Sequence, residues 1–172
     1  SAIAMTCDSA DIVSFAVGIT FDRIECAMNT ALRWNKKMTE AKIIRAEFAN
    51  DAFYSAFNTR DFAQMSSLWA NKNACVCMHP GWQPLIDREN VLNSWKQIFL
   101  NQLDDFFVKH HVIQTHLQGS IFSVLCFEEL GEVWMVATNN YLFENDDPKI
   151  VHHQASPCRP PKDIILSKPS IQ

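Results

Sequence analysis

The second half of the chain constrains the fold most, because there the helical spacing of apolar residues gives way to strand-like stretches. From residue 107 four such stretches follow one another: "FVKHHVIQTHL", "SIFSVLCFEEL", "EVWMVATNNYLFE" and "KIVHHQAS". They are separated by "QGS", "ELGE" and "NDDP", which contain residues typical of tight turns. Short turns join consecutive strands, so this segment predicts an antiparallel meander.

Helices are predicted before the meander. An apolar stripe with steps of three and four residues predicts an amphipathic N-terminal helix: Val13, Val17, Phe21, Ile24, Met28 and Leu32. After "RWNKK" the spacing resumes over residues 44–56, which predicts a second helix. Asp61 and Asp87 are each predicted to cap a further helix. Between those helices, "ACVCMH" (residues 74–79) predicts a short strand that ends before Pro80 and Gly81.

Helices followed by a curved sheet predict an α+β fold. We expect a cone-shaped antiparallel sheet packed against three helices, with an additional N-terminal helix and a cavity inside the cone. The chain is divided into an N-terminal amphipathic helical extension (residues 1–44), a cone domain (45–157) and a proline-rich C-terminal tail (158–172). The prolines of the tail are incompatible with a regular element through most of it.

Composition excludes several classes of protein. With 172 residues, 48% of them hydrophobic and 20% charged, the chain is expected to form one folded core. A net charge of -4 does not favour binding to nucleic acid, which is itself negatively charged. The longest apolar stretch, residues 12–21, is far shorter than the ~20 residues of a membrane span, and nearby aspartates argue against a targeting peptide. We therefore expect a soluble, intracellular protein, with the compartment left open.

The cysteines and histidines show no metal-binding spacing. The six cysteines include no CxxC pair, and the six histidines include no HxxxH or HExxH motif. We expect free thiols and no metal site. With only four glycines the chain has no glycine-rich phosphate loop, so no cofactor is implied.

Three stretches carry a resemblance to a known family: "NDAFYSAFNTRDFAQMSSLWA", "CVCMHPGWQPLIDRENVLNSW", and "ATNNYLF" with "KIVHHQASP". Together they resemble the SnoaL-like branch of the nuclear transport factor two superfamily, which also contains ketosteroid isomerase and scytalone dehydratase. The resemblance extends over residues 45–157 and implies the cone-shaped α+β fold. Because this scaffold hosts isomerases, dehydratases, polyketide cyclases, transport factors and kinase association domains, the fold alone assigns no activity.

The resemblance to ketosteroid isomerase implies where a site lies. The general base of that enzyme precedes a proline at the end of the first strand, a position that corresponds to His79. Its two oxyanion donors correspond to Phe53, with Tyr54 one step away, and to Asn139. The comparison also favours His153 as a residue facing the cavity. Phe53 cannot donate a hydrogen bond, which argues against steroid isomerisation itself.

The candidate catalytic residues are therefore His79, Asn139 and His153. An apolar cavity would lower the pKa of His79, keep the ring neutral and leave it able to accept a proton. The candidate ligand-binding residues are Phe53, Tyr54, Trp82, Trp95 and Tyr141. Each candidate has a structural alternative: a hydrogen-bonding or core histidine, an asparagine that satisfies backbone groups at a bulge, or a core aromatic residue.

Two functions are compatible with these residues. In the first, an apolar pocket binds a small hydrophobic molecule such as a carbonyl or polycyclic compound, and acts by proton transfer as an isomerase, dehydratase or cyclase. This function predicts a cavity contacted by His79 and Asn139. In the second, the chain is a non-catalytic interaction module that forms a homodimer through its sheet and docks partner proteins with its N-terminal helix. Glu128 and Glu129 are interpreted as solvated charges at a turn.

Overall fold

The computed structural model describes residues 21–101 and 107–162. The chain divides into two compact units, residues 1–42 and residues 43–172. The predicted domain boundaries at 44 and 157 stay predictions. The first part of the predicted N-terminal helix, before residue 21, and the end of the tail, after residue 162, lie outside the described residues.

The described residues form three helices, namely α1 (Phe21–Thr59), α2 (Phe62–Leu68) and α3 (Arg88–Asn101). The predicted break after "RWNKK" is absent, because α1 continues through it. Residues 33–44 contain no proline or glycine and include lysines, a methionine, a glutamate and an alanine, which favour a helix. The interruption of the apolar stripe therefore changes the polarity of the helix surface and leaves its backbone intact.

Asp61 and Asp87 cap α2 and α3, as predicted. The Oδ1 atom of each accepts a hydrogen bond at 2.9 Å from the backbone N–H three residues further on. The backbone N–H of Asp87 also donates to the carbonyl oxygen of Cys75 at 2.9 Å. This bond ties the start of α3 to the strand that precedes His79.

Within the described part of the chain, six strands form one sheet in the order β2-β1-β6-β5-β4-β3. The strands are β1 (Val76–Met78), β2 (Leu85–Ile86), β3 (Lys109–Gln118), β4 (Ile121–Leu130), β5 (Val133–Glu144) and β6 (Asp147–Pro157). The predicted meander β3–β6 is confirmed as antiparallel. One pair of neighbouring strands is parallel: β1 lies beside β6, with Cys77 opposite His153. The long connection between these two strands, through α3 and the meander, permits a parallel pair.

The register of β5 on β6 is fixed by a tight turn. Asn145 and Asp146 have φ values of 51° and 65°, as a type I′ hairpin turn requires at its two central positions. The turn sets the pairing from Glu144–Asp147 to Tyr141–Ile150, and an irregularity between Tyr141 and Asn140 then shifts the register by one residue, which places Asn139 opposite His153. Because side chains alternate across a strand, both residues face the helices together with the buried Ala137 and Tyr141.

The core lies between this inner face of the sheet and the helices. Its largest fully buried side chains include Trp69, Tyr141, Phe53, Met65 and Ile150. The α+β fold with a curved sheet packed on helices is thus confirmed. Among the described residues, no helix combines the length and the apolar character that a membrane crossing requires.

Candidate functional site

A cavity of about 210 Å³ lies between α1, α3 and the inner face of the sheet. Most of its wall is apolar, and its aromatic residues are Phe53, Tyr54, Phe57, Trp82 and Trp95. Its ionisable residues are Tyr54, His79, Glu128 and His153. No lysine or arginine of the described chain lines it. This combination of apolar walls with few polar groups is typical of small-molecule sites.

A tight turn holds His79 at the cavity. The backbone N–H of Trp82 donates to the carbonyl oxygen of His79 at 3.0 Å. Pro80 occupies the second position of the turn, and Gly81, with a φ of 80°, occupies the third, which is the arrangement of a type II turn. His79 is 7% exposed, and its ring meets the ring of Trp95 edge-on at 4.6 Å.

The hydrogen bonds of His79 assign the proton on its ring. Ser94 Oγ lies 2.7 Å from the carbonyl oxygen of Val91, which can only accept, so the serine hydrogen is used there. Ser94 Oγ therefore accepts from His79 Nε2 at 2.9 Å. The lone pair of the neutral ring then lies on Nδ1. Burial lowers the pKa of His79 to about 4, so the imidazole is neutral at pH 7, as predicted.

His153, whose ring lies 6.3 Å from that of His79, is oriented in a similar way. The Nδ2 group of Asn139 donates to Asn50 Oδ1 at 2.7 Å and to the Tyr54 hydroxyl at 3.3 Å. The amide oxygen of Asn139 therefore faces His153, and His153 Nδ1 donates to it at 2.6 Å. This leaves the lone pair on Nε2. Burial, reinforced by the neighbouring His79 and His152, lowers the pKa of His153 to about 3.

Two predicted site residues lie behind the cavity wall. Asn139 is fully buried and does not line the cavity, which differs from the predicted contact. Both hydrogens of its amide are engaged inside the protein, so it presents no donor to a ligand. Tyr141 is also fully buried outside the lining, and its hydroxyl donates to Asn50 Oδ1 at 3.3 Å. Asn139 and Tyr141 therefore lie behind the residues that line the cavity and hydrogen-bond to Asn50, and Asn139 also bonds to His153.

The other predicted ligand-binding residues do line the cavity. Phe53 packs edge-on against Trp95 and Tyr54, with ring centroids 5.4 and 5.0 Å apart, and lies 5.0 Å from the His153 ring. Phe53 is thus held in the cavity wall by three neighbouring rings. Trp82 is 49% exposed, so it marks the side on which the cavity meets solvent.

Glu128 lines the cavity and is not a solvated charge, which corrects the interpretation of the Glu128–Glu129 pair. Glu129 Oε2 lies 2.9 Å from His111 Nε2, whereas Glu128 is 6% exposed and its Oε1 accepts from the Tyr54 hydroxyl at 2.7 Å. Burial raises the pKa of the Glu128 carboxyl, and the Tyr54 hydrogen bond opposes that rise. Cys126 and Glu128 are two residues apart on β4, so both side chains face the same side of the sheet, and the burial of Cys126 predicts an inward Glu128. This pattern was missed in the sequence because Glu128 lies near a predicted turn.

Comparison with known proteins gives a family and a fold. The model of the SnoaL-like domain matches residues 46–160. A solved structure of a candidate calcium/calmodulin-dependent protein kinase type II association domain from Thiobacillus denitrificans is 29% identical, with a TM-score of 0.60, and the match covers 66% of this chain and 94% of that one. A candidate dehydratase of the NTF2-like family from Streptomyces avermitilis is also 29% identical, with a TM-score of 0.60 and coverage of 71% and 99%.

A more distant structure shows the fold alone. An NTF2-like protein of unknown function from Pseudomonas putida is 15% identical, with a TM-score of 0.57 over 75% of this chain and 93% of that one. No curated protein matches the chain.

Proposed function

The chain belongs to the SnoaL-like domain family, and from its cavity we propose that it binds a small, largely apolar molecule of one or two rings. The volume of about 210 Å³ supports this size. An engineered apolar cavity of roughly 150 Å³ holds one benzene ring, so a cavity somewhat larger than that suits one or two rings better than four. The aromatic walls supply the apolar contact.

The observation that carries the proposal is the orientation of the two histidines. His79 donates to Ser94 and His153 donates to Asn139, so each ring offers an unprotonated nitrogen. Trp95 Nε1 is a donor without a partner among the described residues, and this atom is fully buried. The cavity thus presents hydrogen-bond acceptors, and we expect a ligand with a hydroxyl or N–H group.

Binding is favoured over proton transfer by the low basicity of both rings. With a pKa of about 3 for His153, holding a proton on that ring at pH 7 costs about 5 kcal/mol. An efficient general base has a pKa near the working pH. We therefore place a binding role ahead of the isomerase, dehydratase and cyclase reactions, and we assign Asn139 the role of orienting His153.

Filling the cavity is expected to abolish binding. Ala155 lines it, so Ala155→Leu adds three carbon atoms to the wall. We expect the Kd of 2-indanol, measured by isothermal titration calorimetry, to rise by about ten-fold or more. Ser156→Leu, the next residue of β6 and on the opposite face, is the matched control and should leave the Kd unchanged.

Two results would contradict this proposal. Equal binding of 2-indanol by Ala155→Leu and by the parent protein, with folding verified by circular dichroism, would place the ligand elsewhere. Acceleration by the parent of hydrogen–deuterium exchange at the α-carbons of 2-indanone, lost in His153→Gln, would instead establish proton transfer as the function.

A second candidate function, protein interaction or assembly, is supported by the surface of α1. Five large apolar side chains in its first half are exposed: Ile24, Met28, Leu32, Trp34 and Met38. The 29% identical association domain described above agrees with such a role. Deletion of residues 1–40 is expected to lower the oligomeric mass measured by light scattering. An unchanged mass, with the shortened chain still folded, would count against this role.

A further inference from the structure

The charge of the cavity rests on one residue. Of its four ionisable side chains, the two histidines are neutral and burial raises the pKa of Tyr54 well above its usual value. Among the described lining residues this leaves the Glu128 carboxyl: burial raises its pKa, and an ammonium ion beside it would favour the ionised form. No lysine or arginine of the described chain lines the cavity to neutralise it.

The two oxygens of Glu128 differ in their surroundings. Oε1 accepts the Tyr54 hydroxyl at 2.7 Å, and that hydroxyl oxygen in turn accepts from Asn139 Nδ2 at 3.3 Å and lies 3.1 Å from Cys126 Sγ. These contacts hold the carboxyl group in place. The one hydrogen bond that the described residues make to this carboxyl group is to Oε1, which leaves Oε2 free to accept. A carboxyl oxygen without a partner in an apolar wall favours a ligand that supplies a donor.

The two histidines that line the cavity also offer acceptors. His153 Nε2 and His79 Nδ1 are acceptors, because the N–H group of each ring is bonded inside the protein. The Cys77 thiol, a weak donor, lies 3.9 Å from His79 Nδ1 and competes for that nitrogen. Glu128 Oε2 adds a third acceptor. A protonated amine has up to three N–H donors and one positive charge, which matches three acceptors and one carboxylate.

The aromatic wall suits the same ligand. Tyr54, Trp82 and Trp95 line the cavity, and a cation within about 6 Å of an aromatic face is attracted by the ring quadrupole. We propose that the ligand of this cavity is a monocationic amine of one or two rings, whose ammonium group binds the Glu128 carboxylate and donates N–H hydrogen bonds to the two histidines. This inference rests on the proposed function and adds the charge of the ligand to it.

An isosteric series tests the charge directly. The probes are 2-aminoindane, 2-indanol and indane-2-carboxylate, titrated into the full-length protein by isothermal titration calorimetry at pH 7.5. We expect 2-aminoindane to bind about ten-fold tighter than 2-indanol, and the carboxylate to bind at least about ten-fold more weakly than 2-indanol. Equal or tighter binding of the alcohol than of the amine in the parent protein would overturn the proposal, whatever the variants show.

Glu128→Gln identifies the residue responsible. It keeps the size of the side chain and removes the charge, so the Kd of 2-aminoindane should rise about ten-fold while that of 2-indanol stays within about three-fold. Glu129→Gln is the matched control, because Glu129 is bonded to His111 and does not line the cavity. An amine affinity that is unchanged in Glu128→Gln, or reduced equally in Glu129→Gln, would also overturn the proposal.

The outcomes separate this inference from the proposed function. Binding of 2-indanol that Ala155→Leu removes, without a preference for the amine, would leave the proposed function standing and refute the cation. Failure of every member of the series to bind would contradict both. Should Glu128→Gln fail to fold, the order of the three probes in the parent protein still decides the question.

Discussion

Replacement of Asn139 by leucine is expected to lower the free energy of unfolding by about 2–3 kcal/mol. Leucine has a similar size, so the effect arises from lost hydrogen bonds and not from a cavity. The variant leaves His153 Nδ1 without its acceptor and removes a donor from Asn50 Oδ1 and the Tyr54 hydroxyl. All of these groups are buried, so each lost hydrogen bond lowers the free energy of unfolding by more than it would at the surface. Urea denaturation followed by tryptophan fluorescence measures it.

Asn140→Leu is the matched control for this change. Asn140 is the next residue of β5, and its Oδ1 has no hydrogen-bond partner in the structure. We expect this variant to change stability by less than about 1 kcal/mol. Nitrogen-15 NMR adds a second measurement, since the His153 proton should move from Nδ1 in the parent to Nε2 in Asn139→Leu. Equal destabilisation by the two variants would show that the network around Asn139 contributes nothing.

Phe53→Ala is expected to have the largest effect on stability, a loss of about 3–5 kcal/mol. Phe53 is 1% exposed and packs against the rings of Tyr54, Trp95 and His153. Its truncation joins new space to the cavity, so three-ring ligands such as 9-hydroxyfluorene should gain affinity relative to 2-indanol. Thermal unfolding and calorimetric titration measure the two effects.

Phe48→Ala supplies the control on the same helix. Phe48 is 67% exposed, so its truncation should cost less than about 1 kcal/mol and leave ligand selectivity unchanged. A loss for Phe53→Ala no greater than that of Phe48→Ala would mean that Phe53 does not support the cavity wall. Unchanged selectivity together with a large loss of stability would place the ligand away from Phe53.

Local patterns predicted the strands of the meander and the starts of α2 and α3, but neither the continuity of α1 nor the short strand β2. The turn sequences of the meander and the caps at Asp61 and Asp87 act over a few residues, so each is visible in the sequence. The break predicted in α1 was wrong because a change in surface polarity at residues 33–37 does not interrupt a helical backbone.

The site itself depends on contacts between distant residues, which no local pattern contains. His153, Asn139 and Tyr54 come from two strands and a helix, and only the packed structure brings them into hydrogen-bonding distance. The inward position of Glu128 follows from strand alternation. Its buried environment depends on α1, which supplies the Tyr54 hydroxyl.

The parallel pairing of β1 with β6 has a consequence for how the chain matures. Cys77 lies opposite His153, so the two halves of the site belong to segments far apart in the sequence. Contacts of such high sequence separation cost more loop-closure entropy than local ones. A nascent chain that still lacks β6 lacks His153 and Ala155 of the cavity wall, so the proposed ligand would require a chain synthesised through β6.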